Sequence, residues 1–325
     1  MSNDDNYFDS VLTTDVLTNG PSHTLTTNPS TIIGESRLRM ALVNQGLVEA
    51  NQGGLTLDEL PKTNNGVFRA TGGGELEVRN ADAILTNYNA ATGTLTGGRW
   101  EAIGGVIDLQ GASIDTIAPG TEVVISGVGG DIPQMTSLNS LEGTLRIDNG
   151  AVIVAAGDVA LQGVLEFGLG DGAVHGFDST GLTVEGDIDF TGCVIDVADL
   201  GLTSGGYEVI NWSDTSQVTG IPTLRNVPPG TSLDLNLATG TLSLIIDGEP
   251  LLIPKILSVD YDVAGNTVTI TYESVDGESF EVRGGSDLEN LSLLPDTPVG
   301  NGAVMQYVHQ PSGSPAKHFY QFFRK

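Results

Sequence analysis

Asn44-Gln-Gly-Leu-Val-Glu-Ala-Asn-Gln-Gly-Gly-Leu-Thr-Leu57 is followed, after a spacer, by Asn64-Asn-Gly-Val-Phe-Arg-Ala-Thr-Gly-Gly-Gly-Glu-Leu-Glu-Val78. The two copies superimpose when the first is shifted by 20 residues. A short alternating strand, a glycine turn and another short strand, repeated about every 20 residues, is typical of a solenoid. The equivalent residues are Asn44 and Asn64, Gly46 and Gly66, Ala50 and Ala70, and the pairs Gly53-Gly54 and Gly73-Gly74.

A third copy, Trp100-Glu-Ala-Ile-Gly-Gly-Val-Ile-Asp-Leu109, matches Phe68 and its neighbours at a shift of 32, which predicts an extra loop around 87–92. Short strands at regular spacing are also typical of a β-sandwich. A sandwich does not need copies of one turn at a fixed shift, whereas a coil that climbs by one rung does. The sequence therefore predicts an all-β chain with a right-handed parallel β-helix over 32–247, its hand following the usual crossover preference. Further rungs are predicted at 113–117, 122–126, 143–147, 151–155, 158–167, 182–188, 193–197 and 207–212.

Like residues should stack in such a coil, because each rung pairs with the next. Asn44 over Asn64 predicts an amide ladder, and Ala50 over Ala70 predicts a stack of small residues in the core. Trp100 is expected to take the place of Phe68 in the third copy. The pattern does not decide which residue of each adjacent pair points inward among Leu47, Val48, Val67, Phe68, Ile107 and Leu109.

Three segments flank or follow the predicted coil. Residues 1–31 are rich in Thr, Asn, Ser and Asp and are expected to form an N-terminal arm or cap. Residues 248–255 contain two prolines and are expected to form a linker. Residues 256–325 show alternating strands with Gly and Asn turns, which predicts a small antiparallel β-sandwich.

The charge is strongly acidic, with 41 Asp and Glu against 13 Lys and Arg and a formal net charge of −28. Such a surface repels phosphate backbones and anionic lipids, so nucleic-acid binding and membrane binding are not expected. Divalent cations, basic partners or a salty medium are its natural counterparts. Cys193 is the single cysteine and lies in an apolar run, which predicts a buried structural thiol. There is no apolar segment of about 20 residues that predicts a membrane-spanning helix.

Candidate chemistry is sparse, and no catalytic or cofactor-binding residue is predicted. The candidate carboxylate pairs are Asp187 with Asp189, Asp196 with Asp199, and Asp108 with Asp115. Two carboxylates about 5–9 Å apart are suited to acid–base work. However, 41 acidic residues produce close pairs by chance, and basic residues are scarce between Arg146 and Arg225.

The metal-binding residues remain unknown from the sequence. The four histidines, His23, His175, His309 and His318, show no metal-ligand spacing. The glycine turns that end in Asp131 and Asp171 are similar to calcium turns of β-rolls, but each occurs singly. Calcium is therefore a candidate ion and not a predicted cofactor.

The repeat region resembles the passenger-type parallel β-helices of bacterial surface and autotransporter-like proteins. The residues that carry this resemblance are Asn44–Leu57, Asn64–Val78 and Trp100–Leu109, with the segment from Tyr207 to Ile246 similar to the end of such passengers. The last 70 residues resemble a small β-domain of secreted planctomycete and verrucomicrobial proteins, through Tyr272–Val282, Ser286–Leu288, and Phe319-Tyr320 with Arg324. The second resemblance implies export to the cell surface or the extracellular medium.

Two functions follow as hypotheses. The first is a non-enzymatic secreted structural or surface protein, such as an adhesin-like stalk or a filament subunit that self-associates through its N-terminal arm or C-terminal domain. The alternative is a β-helix that binds or cleaves carbohydrate, with a surface polysaccharide as partner. Residues 1–6 show no signal peptide, so either the protein stays inside the cell or Met1 is not the native start. The implied export favours the second.

Overall fold

The computed structural model describes residues 7–8, 14–27, 36–169, 181–199, 205–213, 216–228, 230–246, 255–262, 266–273, 280–285, 292–293, 303–310 and 319–324. The chain divides into two compact units, Met1–Gly248 and Glu249–Lys325. Strands dominate both units, and the sheets of the first unit are mostly parallel. The predicted all-β class is confirmed.

The first unit contains a short helix, α1 Ala81–Ile84, and a 3-10 helix, Pro133–Ser137. Its strands are β1 Tyr7–Phe8, β2 Val16–Asn19, β3 Thr24–Thr26, β4 Ser36–Leu38, β5 Ala41–Asn44, β6 Leu47–Asn51, β7 Gly54–Leu57, β8 Lys62–Asn64, β9 Val67–Thr71, β10 Glu75–Val78, β11 Tyr88–Asn89, β12 Thr94–Leu95, β13 Arg99–Ile103, β14 Val106–Leu109, β15 Thr116–Ile117, β16 Glu122–Ser126, β17 Ser140–Leu141, β18 Thr144–Asp148, β19 Val152–Ala155, β20 Val159–Leu161, β21 Val164–Leu169, β22 Gly181–Val184, β23 Ile188–Asp189, β24 Val194–Asp199, β25 Gly205–Trp212, β26 Val218–Thr219, β27 Thr223–Arg225, β28 Thr231–Asn236 and β29 Thr241–Ile246.

Nine of these strands form one parallel sheet, in the order β27-β24-β21-β18-β16-β13-β9-β6-β3, which we call the long sheet. The predicted shifts are confirmed in its register, because Ala50 pairs with Ala70 and Ala70 pairs with Ala102. Four further sheets complete the unit: β1-β4-β7-β10-β14, β2-β5-β8, the seven-stranded β11-β12-β15-β17-β20-β23-β26, and β19-β22-β25-β29-β28. In the last of these, β29 runs antiparallel to both β25 and β28.

The inward face of the long sheet carries the core. Val48, Phe68 and Trp100 occupy one column of paired residues and are buried. Trp100 takes the place of Phe68 as predicted, and the two rings meet edge to face with centroids 5.3 Å apart. This arrangement lets both rings pack without stacking their negative faces. The sequence did not decide whether Leu47 or Val48 faces inward. In the structure Val48 faces the core, and Leu47 points outward and is only half-buried.

A column of buried asparagines runs beside the long sheet, and we call Asn19, Asn44 and Asn64 the asparagine column. The Asn44 Nδ2 donates to Asn64 Oδ1 at 2.9 Å, so the predicted amide ladder is confirmed. The Asn19 Nδ2 extends it by donating to Asn44 Oδ1 at 2.7 Å. The remaining amide hydrogens bind backbone carbonyls, for example from Asn44 Nδ2 to Val67 O at 3.0 Å.

Glycine is required where neighbouring rungs approach at the corner after the asparagine column. A Cβ on Gly66 would lie 2.2 Å from the carbonyl oxygen of Gly46, and one on Gly46 would lie 2.3 Å from that of Gly20. Neither distance is compatible with a side chain. Glycine therefore recurs at these two equivalent positions because no other residue fits where the backbones come this close.

The parallel pairing begins before the boundary predicted at residue 32. Strands β1, β2 and β3 pair in parallel with β4, β5 and β6, so residues expected to form an arm extend three of the sheets. The sequence missed them because Thr and Asn dominate, and only the Asn19 and Leu25 positions repeat the later pattern. The insertion predicted around 87–92 is present, and it comprises α1 and the antiparallel pair β11 and β12.

The described strands of the second unit are β30 Lys255–Asp262, β31 Thr267–Glu273, β32 Phe280–Gly285, β33 Ser292–Leu293, β34 Val304–His309 and β35 Phe319–Arg324. They form two three-stranded antiparallel sheets, in the orders β30-β31-β34 and β33-β32-β35. One buried apolar cluster contains Val268, Ile270, Tyr272, Val282 and Tyr307, which come from both sheets. The predicted linker lies outside the described residues, apart from Lys255.

Candidate functional site

The outer face of the long sheet carries a line of paired charges, which we call the charge column. Neighbouring strands place its members in direct register. Their charges alternate in sign except at the neighbouring pair Glu166 and Asp196. Val124 is the one uncharged residue that separates its two halves. The charged members are Glu49, Arg69, Glu101, Arg146, Glu166, Asp196 and Arg225.

Glu101 is the most buried member of the charge column, with 3% of its side chain exposed. It accepts from the Nε of both Arg69 and Arg99. Arg99 lies two residues earlier on the same strand and also bonds Glu122. In the other half of the column, Arg146 Nη1 lies 3.0 Å from Glu166 Oε1. The face expected from the net charge to be acidic is thus largely neutralised along this sheet.

The predicted carboxylate pairs fall in different environments. Asp196 is held by Arg225 at 2.8 Å and by Asn226 at 3.0 Å, and the side chain of Asp199 lies outside the described set. Asp108 accepts from Gln134 Nε2 at 2.6 Å. Asp108 lies in β14, whereas Asp115 directly precedes β15, which belongs to a different sheet. Asp187 and Asp189 line the same groove.

That groove, which we call the polar groove, is a concavity of about 310 Å³ on the seven-stranded sheet. Asp158, Asp187 and Asp189 line it together with Asn139 and Gln217. Asp158 Oδ1 accepts from the Asp187 backbone N–H, and Asp187 Oδ1 accepts from the Gln217 N–H, each at 2.8 Å. These bonds cap consecutive rungs, so the carboxylates have a structural role as well as a position in the groove.

Hydrogen bonds keep Asp189 in its charged form. Bonds from the Thr191 hydroxyl and backbone N–H lower the pKa of the Asp189 carboxyl below its ordinary value. Across the part of the chain with described coordinates, no group of three or more His, Cys, Asp or Glu residues could hold a metal ion. Asp131 bridges to Val106 in a parallel pair, while Asp171, His175 and His318 lie outside that part. Calcium therefore stays a candidate ion.

Two buried groups with shifted pKa values are structural in this setting. Burial raises the pKa of the Cys193 thiol to about 12, which fits the predicted inert thiol. Lys62 was missed by sequence reasoning, since it lies in the spacer between two repeats. Its ammonium donates to the carbonyl oxygens of Asp58 at 2.6 Å and Leu60 at 2.5 Å. Burial lowers the Lys62 pKa from 10.5 to about 8, against the opposing effect of Asp58 and Glu59.

The N-terminal end of the first unit holds a largely apolar hollow of about 370 Å³, which we call the N-terminal concavity. It lies beside β2, β3 and β4, where the parallel pairing of the described strands begins. Polar residues contribute to its lining through Thr24, Ser36 and Arg37. Its apolar lining is provided by Leu17, Leu25, Leu38, Met40, Val48, Leu55 and Leu57.

Strand β3 borders the N-terminal concavity and ends the long sheet. The His23 carbonyl accepts from Leu47 N–H at 3.0 Å, and the Thr27 N–H donates to the Glu49 carbonyl at 3.1 Å. Alternate residues of a parallel strand face alternate neighbours. The backbone groups of Thr24 and Thr26 therefore point away from β6, toward the side of β3 on which none of the described strands pairs.

In comparisons with known proteins, no family model, no curated protein and no solved structure matches the chain. Among the described residues, none of the helices has both the length and the apolar character needed to cross a membrane.

Proposed function

We propose that this chain is a non-enzymatic structural or surface protein built on a right-handed parallel β-helix. The observation that carries the proposal is the long sheet, in which nine parallel strands stack like residue on like residue. Such a body is stiff and extended, because each rung contacts only its neighbours. Support for a non-enzymatic role comes from the charge column, whose carboxylates are engaged by arginines instead of facing a substrate.

The second unit is proposed to be a small β-sandwich. Its two three-stranded antiparallel sheets contribute to one apolar cluster, in which Val282 joins residues of the other sheet. A passenger-like β-helix followed by a sandwich is the arrangement expected of an exported protein. An extracellular or cell-surface location, which the acidic composition favours, is part of the proposal.

Self-association is proposed to use the N-terminal end, with a second copy of this chain as the occupant. Among the described strands, none pairs with β3 on the side away from β6, so Thr24 and Thr26 present backbone groups beside the apolar lining of the N-terminal concavity. A solenoid end of this kind templates the addition of another strand unless it is capped. Because the surface has excess negative charge, association is expected to strengthen with salt or divalent cations.

The Thr26→Pro variant is expected to abolish this association while the chain remains folded. Proline cannot donate a hydrogen bond, and the Thr26 N–H faces the free side of β3, so no existing sheet bond is lost. The control is Thr26→Ala, which keeps the N–H. Electron microscopy and sedimentation of the wild-type chain should show oligomers or filaments that Thr26→Ala retains and Thr26→Pro loses. A single monomeric wild-type species at high concentration, with and without calcium, would contradict the proposal.

Carbohydrate binding is the second candidate, and the polar groove is the observation that favours it. Its aspartates, amides and Thr219 offer hydrogen-bond partners for sugar hydroxyls. A polysaccharide panel separates the two functions. Binding that is lost in Asp189→Asn would favour the carbohydrate hypothesis, and a panel with neither binding nor cleavage would remove it.

A further inference from the structure

Strand β30 carries an exposed apolar strip at the edge of a sheet. Its residues Leu257, Val259 and Tyr261 are 44%, 55% and 48% exposed. Val259 pairs with Ile270, and Tyr261 pairs with Val268, so both lie beside buried residues of the central strand β31. The apolar face of this sheet therefore continues outward onto a strand where water reaches it.

This strip coincides with a free strand edge. Among the described strands, β30 pairs with β31 alone, while β31 also pairs with β34. An eight-residue edge strand with exposed apolar side chains favours pairing with another strand. Natural edge strands are more often short or protected by lysine or a bulge. β30 is eight residues long and has a bulge at Leu257, so its regular part runs from Ser258 to Asp262.

We propose that β30 is a self-association surface, on which β30 of a second copy of this chain pairs antiparallel about a two-fold axis at Val259. The sequence Leu257-Ser-Val-Asp-Tyr261 is symmetric in apolar character about its centre. An axis at Val259 places Val259 opposite Val259 of the second copy, and Tyr261 beside the bulge residue Leu257 of the second copy. Val259 then acquires a direct cross-strand partner, and cross-strand apolar pairs stabilise a sheet.

The charges of the strand select the same register. With the axis at Val259, each Asp260 lies opposite Ser258 of the second copy, so no two carboxylates are directly opposed. Moving the axis to Asp260 would place two like charges directly opposite each other, which is destabilising. In the selected register the two Asp260 residues are diagonal neighbours, roughly 7–8 Å apart. The Ser258 hydroxyl already donates to Asp260 Oδ2 at 3.0 Å, which stabilises the carboxylate on that face.

The resulting interface joins two three-stranded sheets into one six-stranded sheet. It uses an isologous contact, in which the same patch of both copies is buried. The β30 interface adds a second contact to the proposed self-association. It rests on that proposal only in requiring that copies of this chain associate. Because β30 and the N-terminal concavity belong to different units, substitutions can separate the two surfaces.

Cysteine crosslinking tests the geometry, and Val308 supplies a matched control. Val308 lies on β34 at the other edge of the sheet and is 56% exposed, against 55% for Val259. Val259→Cys should form a disulfide-linked dimer under a mild oxidant at least tenfold faster than Val308→Cys. The native Cys193 is buried and will not compete. Both variants should be made in the Thr26→Pro background, so that failure of the N-terminal contact leaves this test intact.

Sedimentation of Val259→Asp and Asp260→Asn completes the test in the same background. Val259→Asp should weaken dimerisation at least tenfold, whereas Val308→Asp should leave it unchanged. Asp260→Asn should strengthen dimerisation and reduce its dependence on salt, because it removes the diagonal like-charge pair. Equal crosslinking rates at positions 259 and 308, or a Val259→Asp dimer as tight as that of the parent chain, would overturn the proposal.

Discussion

The Asn44→Ala variant is expected to lose about 3–5 kcal/mol of unfolding free energy, which is among the largest effects of any single substitution in this chain. Asn44 is fully buried and makes four hydrogen bonds through its amide. Its oxygen accepts from Asn19 Nδ2 and the Gly46 N–H, and its nitrogen donates to Asn64 Oδ1 and the Val67 carbonyl. Removing the amide leaves several buried polar groups without a partner at once.

The measurement is urea denaturation of the full chain, followed by circular dichroism. Asn65→Ala is the matched control, since Asn65 directly follows Asn64 of the asparagine column but is exposed. Its unfolding free energy should change by less than about 0.5 kcal/mol. A loss below about 1 kcal/mol for Asn44→Ala would mean that the asparagine column is not a structural ladder.

The Glu101→Gln variant is expected to lose about 2–3 kcal/mol, because a buried carboxylate shared by two arginines loses its charge. The value lies below that for a fully buried pair, since the side chains of Arg69 and Arg99 are 31% and 38% exposed. Arg69 retains Glu49 and Arg99 retains Glu122, which limits the loss further. The half of the charge column beyond Val124 should remain intact.

Glu75→Gln is the control for this substitution, because Glu75 is exposed on a neighbouring sheet. Denaturation at low and high salt separates the electrostatic part of the effect. The difference between Glu101→Gln and the parent chain should shrink as salt rises, with little change for Glu75→Gln. Equal destabilisation by the two variants would contradict a special role for the charge column.

The parallel strand pairing of the first unit was predictable because its strongest signal in the sequence is repetition. The pairs Asn44 and Asn64, and Ala50 and Ala70, occupy the same side-chain environment in successive rungs, so identical residues recur at a fixed distance. The third copy remained visible at Trp100 because its Ala102 keeps the small-residue position. The shift that aligns the repeated residues in the sequence is therefore the shift at which their strands pair.

The remaining features left weaker signals in the sequence. Strands β2 and β3 lie in a Thr- and Asn-rich segment, where alternation is masked by polar residues on both faces. The charge column joins residues 20 to 32 positions apart in its first half, and only the register brings them together. Lys62 is buried through bonds to backbone carbonyls, and its sequence position gives no sign of this. The polar groove likewise depends on residues at four neighbouring strands, β17, β20, β23 and β26.

The insertion between β10 and β13 has a consequence for how this scaffold can vary. It lengthens one repeat from 20 to 32 residues, yet Val67 and Arg99 still pair directly in the long sheet. The added residues form α1 and the β11–β12 hairpin without displacing the stacked rungs. The first unit can therefore accept a foreign peptide between β10 and β13. Such a graft would display new side chains on the surface while the paired strands of the long sheet keep their register.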